Sequence, residues 1–177
     1  LTRQITQGEV DKCYYAVVKV TYRKGMENVQ KELGSRTVIT LENYLLKDSR
    51  TNMSRVVPEG TDGAKKAVLE YQVLGVEAGE ELALLRVKLH TGRHHQIRVQ
   101  LSEAGMPILN DTKYGTTPNE ENIKDTLRAV RDEALALCSY RLVFSHPVTR
   151  KKLTFEVIPK GKSFALFSED FGKKDNI

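Results

Sequence analysis

The hydrophobic period of this chain changes at Gly92, and that change limits the fold more than any other feature. Upstream, in "LALLRVKLHT" (82–91), Val87 and Leu89 alternate with Arg86, Lys88 and His90, the two-residue period of a strand with one buried face. Downstream, Ile97, Leu101 and Ala104 fall at i, i+4 and i+7 on one helical face, and Gly105 followed by Pro107 ends that helix. The unit is therefore strand, turn, helix.

Other segments supply more strands. "KCYYAVVKV" from Lys12 is rich in β-branched and aromatic residues, as are "AVLEYQVL", "LALCSYRLVF" and "KKLTFEVI", and "RTVITL" is a short candidate. "TYRKGMENVQKELGS" and "KDSRTNMSRVVPEGTDGAKK" read as polar connections, the second with turn signals at Pro58, Gly60 and Gly63, and "GVEAGEE" as a hairpin-like link. A charged segment after "MPILNDTKYGTTPNEEN" is left without an assignment, and the tail "SFALFSEDF" either packs or frays. With no internal repeat or low-complexity tract, the expected fold class is α+β: one domain with a mixed, mostly antiparallel sheet and flanking helices.

A length of 177 residues, 40% hydrophobic, suits a single core. No apolar run is long enough to span a bilayer, so a soluble, cytoplasmic protein is expected. Cys13 and Cys138 fit no metal or disulfide pattern and are expected to be reduced. A net charge of +5 is compatible with a polyanionic partner without identifying one. The opening "LTRQITQGEVDK" lacks methionine and starts with a helix-spaced Leu1/Ile5 pair, which suggests a piece of something longer.

Three of the four histidines and two arginines crowd into nine positions of "HTGRHHQIRVQL" (90–101). His90 and His94 have the i, i+4 interval of a helical zinc pair, but the strand-to-helix change lies between them and no cysteine or carboxylate is close in sequence, so no metal is expected. Gly92 and Arg93 at a helix start make either an anion seat or a solvated basic helix end. Arg98 lies at the margin of the apolar stripe, where a guanidinium stays charged and needs a partner. That partner could make a structural salt bridge or a functional one.

"LHTGRHHQIRVQLSEAGMPILNDTKYG", with "GEVDKCYYAVV" upstream and "FSHPVTRKKLTFEV" downstream, resembles the RluA-type family of RNA pseudouridine synthases. T-G-R-x-H-Q-I-R followed by G-x-P-I and D-x-K-Y-G carries most of the likeness, and E-x-x-K-x-Y-x-A and H-P-x-T occur in the expected order. The resemblance implies an enzyme that breaks the bond between uracil N1 and ribose C1′, turns the bound base and rejoins it through C5, using neither metal nor cofactor. Its partner would be ribosomal or transfer RNA, with the target uridine drawn out of its stack.

Position by position, the resemblance makes Tyr14 the active-site tyrosine that packs on uracil near the departing C5 proton, with Tyr15 facing the other side of the sheet. Arg98 becomes the arginine that pairs with the catalytic aspartate, and Ile108 an apolar wall beneath the base. Arg93, His95, Gln96 and Lys113 fall where phosphate contacts or support of the site are expected. The family's nucleophilic aspartate lies in an H-R-L-D-x-x-x-S-G segment, which nothing here matches, and Asp11, Asp62 and Asp111 are not replacements. Asn110 stands where the family usually has glycine, a change that asparagine's tolerance of positive φ can absorb. The implied reading of residues 1–177 is the C-terminal portion of one catalytic domain, inactive alone. The rivals are a non-catalytic RNA-binding module and a ribonuclease using His94 and His95.

Overall fold

Continuous apolar runs, not alternating ones, form the middle of the sheet. The computed structural model describes residues 2–20, 37–77, 82–115, 130 and 134–172. Seven strands form one sheet: β1 (Asp11–Lys19), β2 (Val38–Asp48), β3 (Met53–Val57), β4 (Lys65–Glu77), β5 (Leu82–Leu89), β6 (Leu137–Ser145) and β7 (Lys152–Glu156). Their spatial order is β3-β2-β4-β5-β1-β6-β7, and every neighbouring pair is antiparallel. Ala16, Val17 and Val18 of β1 and Leu82, Ala83, Leu84 and Leu85 of β5 are fully buried, because both faces of these central strands are covered. For this reason the alternation expected in 82–91 fails at Arg86, which is buried with its Nη1 3.5 Å from Gln72 Oε1, its neighbour across the β4–β5 pair.

The expected connection 47–66 contains a strand of its own. Met53–Val57 pairs with Tyr44–Asp48, and β2 runs well past the "RTVITL" segment. Its "SRVV" run was masked by the polar residues and turn signals on either side. The polar stretch 21–35, the 78–81 part of the hairpin link and most of the charged segment lie outside the described residues. At the start of the chain, α1 (Thr2–Thr6) forms with Ile5 half exposed and Gln4 buried, and Leu1 lies outside the described residues. The aromatic tail packs: α3 (Lys162–Ala165) and the turns after it bury Phe164 and Phe167, and Phe171 lies 5.1 Å from Tyr15. Tyr15 also stacks on Tyr140 at 3.8 Å, so the tail covers the face of β1 opposite Tyr14.

Helix α2 (Gln96–Glu103) is buried on more sides than its three-residue stripe predicts. Ile97 and Leu101 join the main core, whereas Val99 joins a second cluster with Leu45 and Ala67. Ala104 lies past the last turn and is exposed. Two buried glutamines dock the helix onto sheet backbone. Gln100 Nε2 donates to Leu41 O (3.1 Å) and Asn43 Oδ1 (2.8 Å), and Gln96 Nε2 donates to Val68 O (3.1 Å). Each such bond in a dry site satisfies a group that would otherwise carry a desolvation cost of about 1–3 kcal/mol. Gly105, at φ 79°, ends the helix, and the chain then crosses β1, where Ile108 forms an antiparallel bridge with Val18.

Candidate active site

Two groups of predicted site residues emerge, one on β1 and one around the start of α2. Tyr14 is half-buried between β5 and β6, opposite Val87 and Ser139. Burial pushes its phenol above the ordinary value, against a smaller lowering by a hydrogen bond with the Ser139 side chain. Ile108, almost fully buried, shares a face with Val18 through their bridge, and by the two-residue period Tyr14 lies on that same face, roughly 13 Å further along the strand.

At the second group, α2 begins at Gln96 and not directly after Gly92, because His95 takes the left-handed conformation (φ 53°) and breaks the helical path. Gln96 is interior: Thr91 Oγ1 and Arg93 N both donate to its Oε1, at 2.8 and 2.9 Å. It supports the turn and is too buried to meet a phosphate directly. Arg93 is exposed, held by one bond from Nε to Lys66 O (2.8 Å). His90 and His94 turn to different partners, His90 to Glu70 (3.0 Å) and His94 to Ser54 Oγ (3.0 Å). Among the described residues no group of three or more His, Cys, Asp or Glu is placed to share a metal ion.

Arg98 finds its acid within the chain. Nε and Nη2 donate to Asp111 Oδ2 (2.8 Å) and Oδ1 (2.7 Å), a bidentate fork, while the Arg98 side chain is 16% exposed and that of Asp111 0%. Asp111 Oδ1 also accepts from Lys113 N (2.9 Å) and Tyr114 N (3.0 Å). Burial alone would raise the carboxyl's pKa, yet these four bonds and the guanidinium charge hold it below the ordinary range. Sequence reasoning set Asp111 aside when looking for a nucleophile and missed this role. Its signal was the D-x-K-Y-G spacing itself, since an aspartate readily accepts the N–H groups two and three residues on. Asn110 adopts φ 63°, the positive angle that asparagine can take in place of glycine.

Tyr114, also missed, joins the site to the β2–β3 hairpin. The Arg98 guanidinium lies 5.0 Å from its ring centre, and its hydroxyl accepts from Ser54 N (2.8 Å) and lies 3.0 Å from His95 Nδ1. Lys113 reaches the same hairpin, donating from Nζ to Asn52 O (3.0 Å). The loop closes with a bond from Gly115 N to Asp111 O (2.8 Å), and a Cβ on Gly115 would stand 2.3 Å from that oxygen. Gly115→Ala is therefore expected to displace the loop and cost about 1–3 kcal/mol, measured by urea unfolding. A loss under a few tenths would mean that the loop yields without strain.

The family model described as RNA pseudouridylate synthase matches residues 1–103. An RNA pseudouridine synthase of Aquifex aeolicus is 29% identical over 157 residues, 89% of this chain and 44% of its own length. The ribosomal large subunit pseudouridine synthase D of Vibrio cholerae is 34% identical over 158 residues, 88% of this chain and 43% of its own. The chain thus spans less than half the length of these curated relatives. Among solved structures, human RNA pseudouridylate synthase domain containing 4 superposes with a TM-score of 0.66 at 20% identity, over 93% of this chain and 65% of that one, which shows a shared fold. With more than half of its residues inside the family match, this chain belongs to the RNA pseudouridylate synthase family.

Proposed function

We propose that residues 1–177 are part of a single catalytic domain that isomerises uridine to pseudouridine in RNA, and that they carry its base-binding side without its nucleophile. The family match carries this reading. The half-buried Tyr14 supports it, offering a hydroxylated aromatic ring on one side of β1. In the proposed reaction an aspartate from an H-R-L-D segment, absent from these residues, attacks as the N1–C1′ bond breaks. C5 of the turned uracil then bonds to C1′ as the aspartate–C1′ bond breaks, and the C5 proton leaves to the freed carboxylate through the Tyr14 hydroxyl, which gives up its own proton as it takes that one; the Tyr14 ring packs on the base throughout. Arg98 acts as a positioning residue. Asp111 occupies its Nε/Nη2 edge, which leaves the other edge of the guanidinium to face the attacking acid.

Ribosomal RNA is the favoured substrate, on the strength of the relative named for the large ribosomal subunit, with transfer RNA as the other option. The setting is cytoplasmic, and no described helix is long and apolar enough to cross a membrane. RNA tritiated at uridine C5 tests the reaction, since forming the new bond releases that hydrogen. The full-length protein is expected to release tritium in EDTA, and the 177-residue chain to release none. Failure of the full-length protein on both ribosomal and transfer RNA would overturn the activity. Arg93 is assigned to a backbone phosphate, so Arg93→Ala is expected to weaken binding of all sequences alike and make the salt slope shallower by about one. An unchanged slope in a salt titration would remove Arg93 from the interface.

A further inference from the structure

The β2–β3 hairpin brings lysine, serine and histidine together beside the start of α2. Lys47 and Ser54 are opposite one another in the β2–β3 register, so their side chains leave the same face. Ser54 Oγ lies 3.0 Å from His94 Nδ1, and Lys113 reaches across to the carbonyl of Asn52 on the same hairpin. His94 stacks on His95 with ring centres 3.8 Å apart. The charged or titratable groups around His94 are Lys47 from β2, Lys113 from the following loop, and Arg98 and His95 on its own segment. Asp111, whose charge acts on the neighbouring His95, is already engaged by Arg98.

Each of the two histidines faces a hydroxyl. Tyr114 Oη accepts the N–H of Ser54, so its single hydrogen is free to go to His95 Nδ1. That bond suits a neutral His95 carrying hydrogen on Nε2, and the ring with hydrogen on Nδ1 would donate to the same oxygen instead. A serine hydroxyl donates to a neutral imidazole and accepts from a protonated one, so His94 can gain a proton and keep its bond. What opposes this is partial burial together with the lysines and Arg98, all of which lower its pKa. An anion among these cations would remove that opposition.

We propose that Lys47, His94 and Lys113 form a seat for one RNA backbone phosphate, and that His94 takes up a proton as the seat fills. The proposal rests on the reading of this chain as an RNA-acting protein. A phosphodiester suits the seat because it offers oxygen acceptors to the imidazolium and to two lysine ammonium groups at once. Since the bound state favours protonated His94, its pKa in the complex lies above that in the free protein. Binding is then tightest below the free-state pKa, and the gain is lost as pH rises through the pKa of the complex. One pKa unit of difference corresponds to about a tenfold change in affinity.

Fluorescence anisotropy of the full-length protein with a labelled RNA stem-loop containing unpaired uridines, from pH 5.5 to 8 at fixed salt, reads this directly. Wild type is expected to bind several-fold more tightly at the acid end, His94→Gln to lose most of that dependence, and Lys113→Ala to keep it with a shallower salt slope. The His94 ring proton, followed by NMR in wild-type protein, is expected to titrate at higher pH once RNA is added, a readout that needs no variant. RNA binding with the same pH dependence in His94→Gln, or an unmoved His94 titration, would overturn the seat and leave the RNA reading standing. No RNA binding at any pH would overturn both.

Discussion

Tyr14→Phe in the full-length protein is expected to slow turnover by about 10²–10⁴-fold, the usual weight of a positioned acid or base, with little change in folding or RNA affinity. The substitution keeps the ring and therefore the stacking face, and it removes only the hydroxyl assigned to the C5 proton. The ring's position is set by β1 lying between β5 and β6, with register on both sides, and the hydroxyl contributes one bond to Ser139. Losing that bond costs on the order of 1 kcal/mol, far less than the kinetic loss. Burial raises the phenol's pKa, so it is protonated at neutral pH and phenylalanine removes no charge. Tyr14→Ala, by contrast, also removes the stacking face and is expected to weaken RNA binding by about 1–3 kcal/mol. Tritium release with kcat and KM measured separately distinguishes them: Tyr14→Phe lowers kcat alone, whereas Tyr14→Ala lowers kcat and raises KM. A Tyr14→Phe enzyme within a few-fold of wild type would remove Tyr14 from the proton transfer.

The period change at Gly92 located the strand, the turn and the helix, because periodicity reports which face an element buries. It failed where two faces are buried. β5 and β1 are covered on both sides, so Arg86 lies in the interior at a position where alternation sends it to solvent. The same limit hid Gln96, Gln100 and Val99, which face a second packed surface that no local pattern describes. β3 escaped notice because five residues between turn-rich flanks make a weak signal, and its strand character comes from pairing with β2. At the site, the need for an acid beside Arg98 was legible from desolvation, but the identity of that acid was not. A partner thirteen residues away across a helix end and a crossing loop is set by tertiary geometry. The resemblance directed attention to an aspartate outside these residues, and Asp111 takes one edge of the guanidinium first.

Asp111→Ala is expected to cost about 3 kcal/mol or more of stability, within the range for breaking a buried ion pair by removing one partner. The change leaves Arg98, 16% exposed, without its counter-charge, and frees the N–H groups of Lys113 and Tyr114. Asp111→Asn keeps an oxygen for those two N–H groups but loses the charge and the acceptor for Arg98 Nε, so its cost should be smaller, roughly half. Arg98→Ala strands a fully buried carboxylate that still holds the two N–H bonds, and the double alanine variant should lose less than the sum of the singles, with a coupling of about 1–3 kcal/mol. Acid provides a second readout. Because the folded state depresses the Asp111 pKa, its stabilisation is fully present above the ordinary aspartate value of about 3.9 and is lost as pH falls through the lower folded-state value. The difference in urea midpoint between wild type and Asp111→Asn should thus shrink as pH drops from 7 towards 3. Turnover separates the pair's structural role from its positioning role. At a temperature where Asp111→Asn remains folded, a swung guanidinium lowers kcat with KM nearly unchanged, whereas a purely structural pair leaves both near wild type. Unfolding of Asp111→Ala within 1 kcal/mol of wild type would mean that Arg98 finds another partner at no cost, and the positioning assigned to the pair would fall with it.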